Sequence, residues 1–309
     1  MVHDAYAAYD YKGHECDAIE SVSDHVDAVF ALFSTIVTAS SGGTMLVAAG
    51  VVQLLVSFSF CTHVSRCVNL LDNILYSSPA SLTTFTASNG VNLYVDRIST
   101  DIHACLKAAQ NLDLSVITPR TPLDPASSPE FRELASRVPI LRATLKLIFH
   151  TMQTSGTVDG MRHLIDSSLP KSIQLIFENA KLFGFLSVFG LAINIMSTFI
   201  HNEPTTLSIL QESGITRAFL SAARGDLPAS AEVISALPNA FGAVCLNDAG
   251  LEEFKRENPL DNFFSVFTSE EHLRTLQDNE VPHLVGNSMD EFIRHHPSLK
   301  ETVLTGSSR

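Results

Sequence analysis

The sequence predicts an all-α fold, an armadillo- or HEAT-like α-solenoid of about five helical units. The main observation is that one order of elements, a long apolar helix, a short helix and a medium helix, recurs along the chain. It is clearest in residues 161–223, where Pro170, Pro204 and Gly214 mark the breaks between helices. Proline suits the first turn of a helix, and glycine suits the left-handed residue that ends one.

The spacing of the copies supports the same fold class. The short helices share two apolar residues three positions apart: Leu82 and Phe85, Met161 and Leu164, Leu207 and Leu210, and Leu251 and Phe254. Leu169, Gly214 and Pro259 follow three of these helices at steps of 45 residues, and Gly50 and Gly90 are 40 residues apart. Armadillo and HEAT units repeat every ~40–47 residues and become stable by stacking on their neighbours.

The order of elements divides the chain into five predicted regions. They are an N-terminal tail (1–23), a first armadillo-like block (24–110), a flexible proline-rich loop (111–137), a second armadillo-like block (138–268) and a C-terminal helix with a polar tail (269–309). The loop is predicted from its prolines, serines and threonines, because such a composition buries too little apolar area to offset chain entropy.

Two threonines in this loop are candidate regulatory sites. Thr118 and Thr121 each precede a proline. A phosphate on either one could switch a contact, because it adds charge and strong hydrogen-bond acceptors. A plain spacer is the simpler interpretation of the same segment.

Composition and charge restrict the class of protein. The chain has 309 residues, a 45% hydrophobic content and a net charge of −13, so it predicts a substantial core and no basic surface for nucleic acid. Its five cysteines are dispersed and form no Cys-x-x-Cys pair, which is typical of reduced thiols in a cytoplasmic or nuclear protein. The first twenty residues lack the layout of a signal peptide.

Two segments resemble membrane spans by composition. Residues 44–60 and 182–200 carry no charge. A span needs roughly 20 apolar residues with aromatic anchors at its ends, whereas the second segment contains Ser187, Asn194, Ser197 and Thr198 and the chain has no tryptophan. A helix that is apolar on all sides also suits the middle layer of a solenoid. We therefore expect a buried helix over residues 182–201 and no membrane partner.

No catalytic, cofactor or metal pattern is present in the sequence. It has no Gly-x-Ser-x-Gly elbow and no glycine-rich phosphate loop. His295 and His296 are adjacent and so point to different sides of a helix, and no His-x-x-x-His or Cys/His cluster occurs. We expect no catalytic residue, no cofactor and no metal, and we interpret Cys61, Cys67 and Cys245 as packing residues.

A solenoid without catalytic groups acts through its surface, and the third helix of each unit is expected to line the concave side. The candidate partner-binding residues are the polar side chains of two such helices, Lys171, Gln174, Glu178, Arg217 and Arg224. An ordinary solvated helix face is an equally good interpretation of each one. The partners expected from this surface are proteins.

Four stretches carry a family resemblance. They are residues 160–170 (GMRHLIDSSLP), 236–247 (ALPNAFGAVCLN), 250–254 (GLEEF) and 289–300 (MDEFIRHHPSLK). In these stretches the chain resembles the N-terminal armadillo-like region of the giant HECT-type E3 ubiquitin ligases, the animal Mule ligase and its fungal counterparts. The resemblance extends over about residues 138–300 and is loose before the proline-rich loop.

The resemblance implies a non-catalytic scaffold that recruits protein substrates for ubiquitination together with the remainder of a larger ligase. In that family the transferring cysteine lies in a C-terminal HECT domain, and none of the five cysteines here matches it. The chain is then expected not to be an enzyme by itself, whether it is a fragment, a truncated product or an independent paralogue. The alternatives are an armadillo-type adaptor unrelated to ubiquitin, and a membrane protein that uses residues 44–60 and 182–200 as spans.

Overall fold

The protein is built from α-helices. The computed structural model describes residues 15–57, 64–114, 123–154, 158–277 and 280–306, and this part of the chain contains no β-strand. The all-α fold class is therefore confirmed.

The helices occur in two compact units, Met1–Ser88 and Asn89–Arg309. The first unit contains α1 (Glu15–Thr38), α2 (Gly42–Ala48), α3 (Val51–Ser57), α4 (Val64–Ser77) and α5 (Pro79–Ala87). The second unit contains α6 (Gly90–Ala109), α7 (Pro129–Thr154), α8 (Val158–Ile165), α9 (Leu169–Glu178), α10 (Ala180–Phe185), α11 (Phe189–Asn202), α12 (Thr206–Glu212), α13 (Ile215–Arg224), α14 (Ala231–Val244), α15 (Asp248–Glu257), α16 (Leu260–Ser265), α17 (Glu270–Thr275), α18 (Val281–His295), a short 3-10 helix (Pro297–Leu299) and α19 (Lys300–Gly306).

In the first unit, α4 is the central helix. It packs against α1, α2, α3 and α5, and it buries Val64, Val68, Leu71 and Ile74 completely. Apolar side chains at steps of three and four residues place these groups on one side of the helix. An ion pair between Arg66 and Asp27 also joins α4 to α1.

In the second unit, the longer helices follow one another in two rows. One row runs α7, α11, α14 and α18, and the other runs α6, α9, α13, α16 and α19, each helix packing against the next in its row. The short helices α8, α12 and α15 lie between the rows, because each packs against members of both. Helices α6, α9 and α13, which were predicted to be the third helices of successive units, are therefore neighbours in space.

A continuous run of phenylalanines fills the space between these rows. Phe177 of α9 contacts Phe219 of α13 at 5.4 Å between ring centroids, and Phe219 contacts Phe241 of α14 at 5.9 Å. Phe241 then contacts Phe254 of α15 and Phe292 of α18 at 5.2 and 6.4 Å. All of these side chains are buried. Aromatic pairs at such distances add to the stability gained by burial, so Phe241 holds three helices together.

The predicted single helix over residues 182–201 is wrong in one respect, because the chain turns between α10 and α11. Ser187 has the left-handed φ of 54°, and the Val188 N–H donates to the carbonyl of Phe183 at 2.8 Å. This six-residue hydrogen bond closes a helix end of the Schellman type, which usually has glycine in the left-handed position. The buried environment is as predicted, since Phe183, Val188 and Phe189 are fully covered.

The predicted loop over residues 111–137 is too long, because α7 begins at Pro129. Proline is accepted in the first turn, where its missing N–H has no helical partner, and Ser128 Oγ accepts a hydrogen bond from the Phe131 N–H at 3.2 Å. Helix α1 likewise begins at Glu15, inside the predicted tail over residues 1–23.

The boundary between the compact units also differs from the predicted blocks. Helix α6 was assigned to the block over residues 24–110, but it packs against α7 and α9 and belongs to the second unit. After residue 269 the chain forms α17, α18, the 3-10 helix and α19, which is more than the one predicted helix. In this segment α18 packs on α14, and α19 packs on α16.

Within the described residues, no single helix is long and apolar enough to cross a membrane. One bent pair, His25–Thr38 and Gly42–Ala48, reaches the required length and composition, and its two helices meet at 120°.

Candidate protein-interaction surface

The predicted surface residues on α9 form one line of hydrogen bonds. Lys171 Nζ donates to Gln174 Oε1 at 3.1 Å, and Gln174 Nε2 donates to Glu178 Oε1 at 2.7 Å. Steps of three and four residues place these side chains on the same face of a helix. Lys171 and Glu178 are exposed and Gln174 is half-buried, so the line faces solvent.

The N-terminus of α13 lies beside this line. Gly214, which precedes α13, has a φ of 84°, and a Cβ atom placed on it would lie 3.7 Å from Gln174 Nε2. A side chain at this position would be strained by the left-handed backbone. The glycine thus ends α12 and allows α13 to start next to the polar face of α9.

The predicted residues on α13 are joined to α15 rather than to α9. Arg217 Nε donates to Glu253 Oε1 at 3.3 Å, and Arg224 Nη1 donates to Glu257 Oε2 at 3.4 Å. The side chains of Arg217 and Arg224 are 70% and 63% exposed, whereas Glu253 and Glu257 are only 12% and 18% exposed. Each such pair contributes about 0–1 kcal/mol, because the guanidinium groups remain in water.

Four further residues of this network, Thr216, Glu253, Arg256 and Glu257, were not identified from the sequence. Thr216 Oγ1 donates to Glu253 Oε2 at 3.0 Å, and Arg256 donates to both Glu253 and Glu257 at 3.2 and 3.3 Å. The sequence signal for the two acids is their spacing of four residues, about one helical turn, which places both on the same face of α15. The structure therefore brings the candidate residues into two groups, one on α9 and one between α13 and α15.

A polar cleft opens at the preceding junction, between α6 and the end of α8. Its volume is about 460 Å³, and its lining consists of Asn89, Asn92, Val95, Asp96, His163, Asp166, Ser167 and Ser168. His163 Nε2 lies 2.6 Å from Asn92 Oδ1, and Asn92 Nδ2 donates to Asn89 Oδ1 at 2.7 Å. The lining offers mainly oxygen acceptors, and the sequence reasoning did not identify it.

A buried ion cluster lies between α6 and α7. Asp101 is completely buried, and its carboxylate accepts hydrogen bonds from Arg97 Nε at 2.8 Å and Arg137 Nη1 at 3.0 Å. Arg137 Nε also donates to Glu133 at 2.8 Å. The hydrogen bond with Asp101 is the main cause that raises the pKa of Arg137 above its ordinary value. This cluster fixes the start of α7 against α6.

The described cysteines are not placed for chemistry. Cys67, Cys105 and Cys245 are buried thiols, and burial raises the pKa of Cys105 and of Cys245 to about 12. A thiol needs its thiolate form to act as a nucleophile. Cys61 lies outside the described residues, as do Thr118 and Thr121. Over the part of the chain that the structure describes, no group of three or more His, Cys, Asp or Glu side chains could hold a metal ion.

The fold and this surface define an all-helical protein whose polar side chains bridge successive helices. Residues 65–307 match the family described as Domain of Unknown Function (DUF913), and the chain belongs to that family. Together with the relatives described next, this match confirms the resemblance to the giant HECT-type E3 ubiquitin ligases.

Several curated relatives have names that agree with this assignment. The chain is 32% identical over 287 residues to the E3 ubiquitin-protein ligase ptr1 of Schizosaccharomyces pombe, which corresponds to 91% of this chain and 9% of that protein. It is 28% identical over 307 residues to E3 ubiquitin-protein ligase HUWE1 of Mus musculus, covering 90% of this chain and 7% of the relative. For E3 ubiquitin-protein ligase UPL1 of Arabidopsis thaliana, the identity is 29% over 288 residues, with 89% and 8% covered. The chain thus spans less than a tenth of the length of these relatives.

Proposed function

We propose that this chain is a non-catalytic, armadillo-like scaffold segment that presents protein substrates for ubiquitination by a HECT-type E3 ligase. The observation that carries the proposal is the match to one region of several E3 ubiquitin-protein ligases over about nine-tenths of this chain. We infer that a region shared by these ligases contributes to their common activity. Since the described residues form no catalytic group, that contribution is the binding of proteins.

The two rows of helices support the armadillo-like arrangement. Successive copies in the second unit place a long helix in one row, a short helix between the rows and a third helix in the other row. Stacking of this kind gives each copy the buried contacts that it lacks alone, and it produces an extended surface along the third helices. This surface carries Lys171, Gln174, Glu178, Arg217 and Arg224.

The burial of the described cysteines supports a non-catalytic role for this chain. A cysteine that accepts ubiquitin as a thioester must be accessible and able to ionise, whereas Cys105 and Cys245 are buried and have raised pKa values. We expect no thioester band on a non-reducing gel after the chain is mixed with a ubiquitin-charged conjugating enzyme. A band that disappears on reduction would contradict the non-catalytic role.

The binding role is tested by a chimera in which this chain replaces the matching segment of the fission yeast ligase. The double variant Lys171→Glu/Arg217→Glu should reduce ubiquitination of captured substrates while leaving ubiquitin loading of the ligase unchanged. Both residues are exposed, so the variant should keep the helical circular dichroism of the parent chain. Arg294→Glu/Lys300→Glu, at two exposed cations on α18 and α19, makes the same change of charge and serves as the control. Equal substrate ubiquitination by the parent chimera and the double variant would refute the surface assignment.

A further inference from the structure

The junctions between successive copies contain a repeated side-chain pair. The third residue of the third helix is Asn92 in α6, Lys171 in α9 and Arg217 in α13. Each of these helices is followed by a copy whose short helix carries two apolar residues three positions apart, and the residue just before the second apolar one is His163, Ile209 or Glu253. These two positions correspond from copy to copy.

At two of the three junctions the corresponding residues are hydrogen-bonded to each other. His163 Nε2 lies 2.6 Å from Asn92 Oδ1, and Arg217 Nε donates to Glu253 Oε1 at 3.3 Å. The pairs differ in chemistry, one being amide and imidazole and the other guanidinium and carboxylate. Their common feature is a polar bridge from a third helix to the next short helix.

The middle junction lacks this bridge. Its corresponding residues are Lys171 and Ile209, and an isoleucine side chain has no group that accepts a hydrogen bond from an ammonium. Lys171 Nζ donates to Gln174 on its own helix instead. Ile209 is 51% exposed, although its neighbours Leu207 and Leu210 are buried. An exposed apolar side chain thus lies where the flanking junctions have a polar one.

The junction between α13 and α15 shows which group binds a cation at this position. There the carboxylate of Glu253 accepts from Arg217, and the side chain of Glu253 is only 12% exposed. A carboxylate from another molecule would meet Lys171 in the corresponding way, and an apolar side chain beside it would cover Ile209. Apolar contacts that exclude water strengthen a neighbouring charged pair.

We infer that Ile209 and Lys171 form a docking site for a protein segment that carries an acidic residue next to a large apolar residue. This inference deepens the proposed function, because it rests on the same surface and names the chemistry of the partner. Gly214, which follows α12, lies beside Gln174 of α9, so the proposed site joins these two elements, between two junctions that the chain bridges with its own side chains.

The test uses the full 309-residue chain and a phage library of random 12-residue peptides as the probe. Enriched peptides, resynthesised with a fluorescent label, should contain an acidic residue adjacent to Leu, Ile, Phe or Met. By fluorescence anisotropy, Ile209→Ser and Lys171→Glu should each weaken their binding at least about tenfold, as removal of a central contact does. Leu284→Ser, at an equally exposed leucine on α18 (53%), should leave binding unchanged.

A third variant tests the repeat argument directly. Ile209→Glu should pair with Lys171 as Glu253 pairs with Arg217, so it should abolish peptide binding without lowering the melting temperature. The inference is overturned if no peptide is enriched, if the enriched peptides lack the acidic and apolar pair, or if they bind Ile209→Glu as tightly as the parent. Peptides whose affinity is unchanged by Ile209→Ser but reduced by Arg217→Glu would overturn this site while supporting the broader surface.

Discussion

Asp101 of α6 accepts a hydrogen bond from Arg137 of α7 at 3.0 Å, across 36 positions of sequence. The carboxylate is completely buried and also accepts from Arg97. Apolar contacts alone would allow the first turns of α7 to pack at several positions along α6. Because a buried carboxylate tolerates few arrangements of its partners, we expect this bond to favour one register of α7 along α6.

Removing the charge of Asp101 should therefore be costly. We expect Asp101→Asn to lower the free energy of unfolding by about 3–5 kcal/mol, because two guanidinium groups then face a neutral amide. Urea denaturation followed by circular dichroism measures this loss. Glu133→Gln removes the exposed partner of Arg137 and should cost less than about 1 kcal/mol. Equal losses for the two variants would contradict the role of burial.

The aromatic run makes a second prediction about stability. Phe241 is completely buried and contacts rings from α13, α15 and α18. Phe241→Ala should cost about 3–5 kcal/mol, because it removes these contacts and leaves a cavity. Phe241→Leu keeps most of the volume and should cost clearly less. Urea unfolding measures the stability of both variants. Equal stability of the alanine and leucine variants would contradict the role of Phe241 in the aromatic run.

Substitution by alanine at two glycines should change the stability of the chain in opposite directions. A Cβ atom on Gly250 would lie 1.9 Å from the carbonyl oxygen of Val244, so backbone must shift, and we expect Gly250→Ala to cost about 1–3 kcal/mol. A Cβ atom on Gly286, inside α18, would meet nothing within 4 Å. Gly286→Ala should stabilise the chain by about 0.5–1 kcal/mol through its higher helix propensity. Melting temperatures of the two variants should move apart, and a shift in the same direction would be inconsistent with this geometry.

His296 predicts a dependence of stability on pH. Its pKa is lowered from 6.5, first by burial and then by the neighbouring His295, although a backbone hydrogen bond with Gly242 acts in the other direction. The unfolded chain therefore binds a proton more readily than the folded chain. This contribution to stability is fully present above pH 6.5 and is lost as the pH falls through that value towards the lower folded pKa.

His296→Gln should accordingly flatten the fall in melting temperature between neutral and mildly acidic pH. His103→Gln provides the control, since His103 is an exposed histidine on α6. Thermal unfolding at a series of pH values gives both profiles. Parallel profiles for the parent chain and His296→Gln would show that this residue does not contribute.

Most helices were predictable because their ends carry chemical signals. Gly214 has the left-handed backbone that the pattern required, and Pro170 lies in the first turn of α9 as expected. The turn after α10 was missed because Ser187, an ordinary residue, occupies the left-handed position. On either side of this turn, Gly184 lies close to Pro228 and Gly190 lies close to Glu232, and no local pattern reveals such contacts with a distant segment.

The candidate surface was predictable only in part, for a similar reason. Polar residues on α9 and α13 can be predicted from helical periodicity, but the partners of those on α13 lie 33 to 37 positions away along the chain. Arg217 bonds to its counterpart Glu253, whereas Lys171 bonds to Gln174 on its own helix. This difference in bonding is visible only in the folded structure. Sequence spacing identified the positions, and tertiary structure distinguished them.

The packing of α6 against α7 changes the structural role assigned to the proline-rich segment that connects them. The segment does not join two separately folded halves, since both helices that it connects belong to one compact unit. A protease site introduced at the exposed residues 124–127 would, once cleaved, yield two polypeptides that stay associated through the interface of α6 with α7 and α9. On a sizing column the nicked protein should elute as one species, and it should separate only under denaturing conditions.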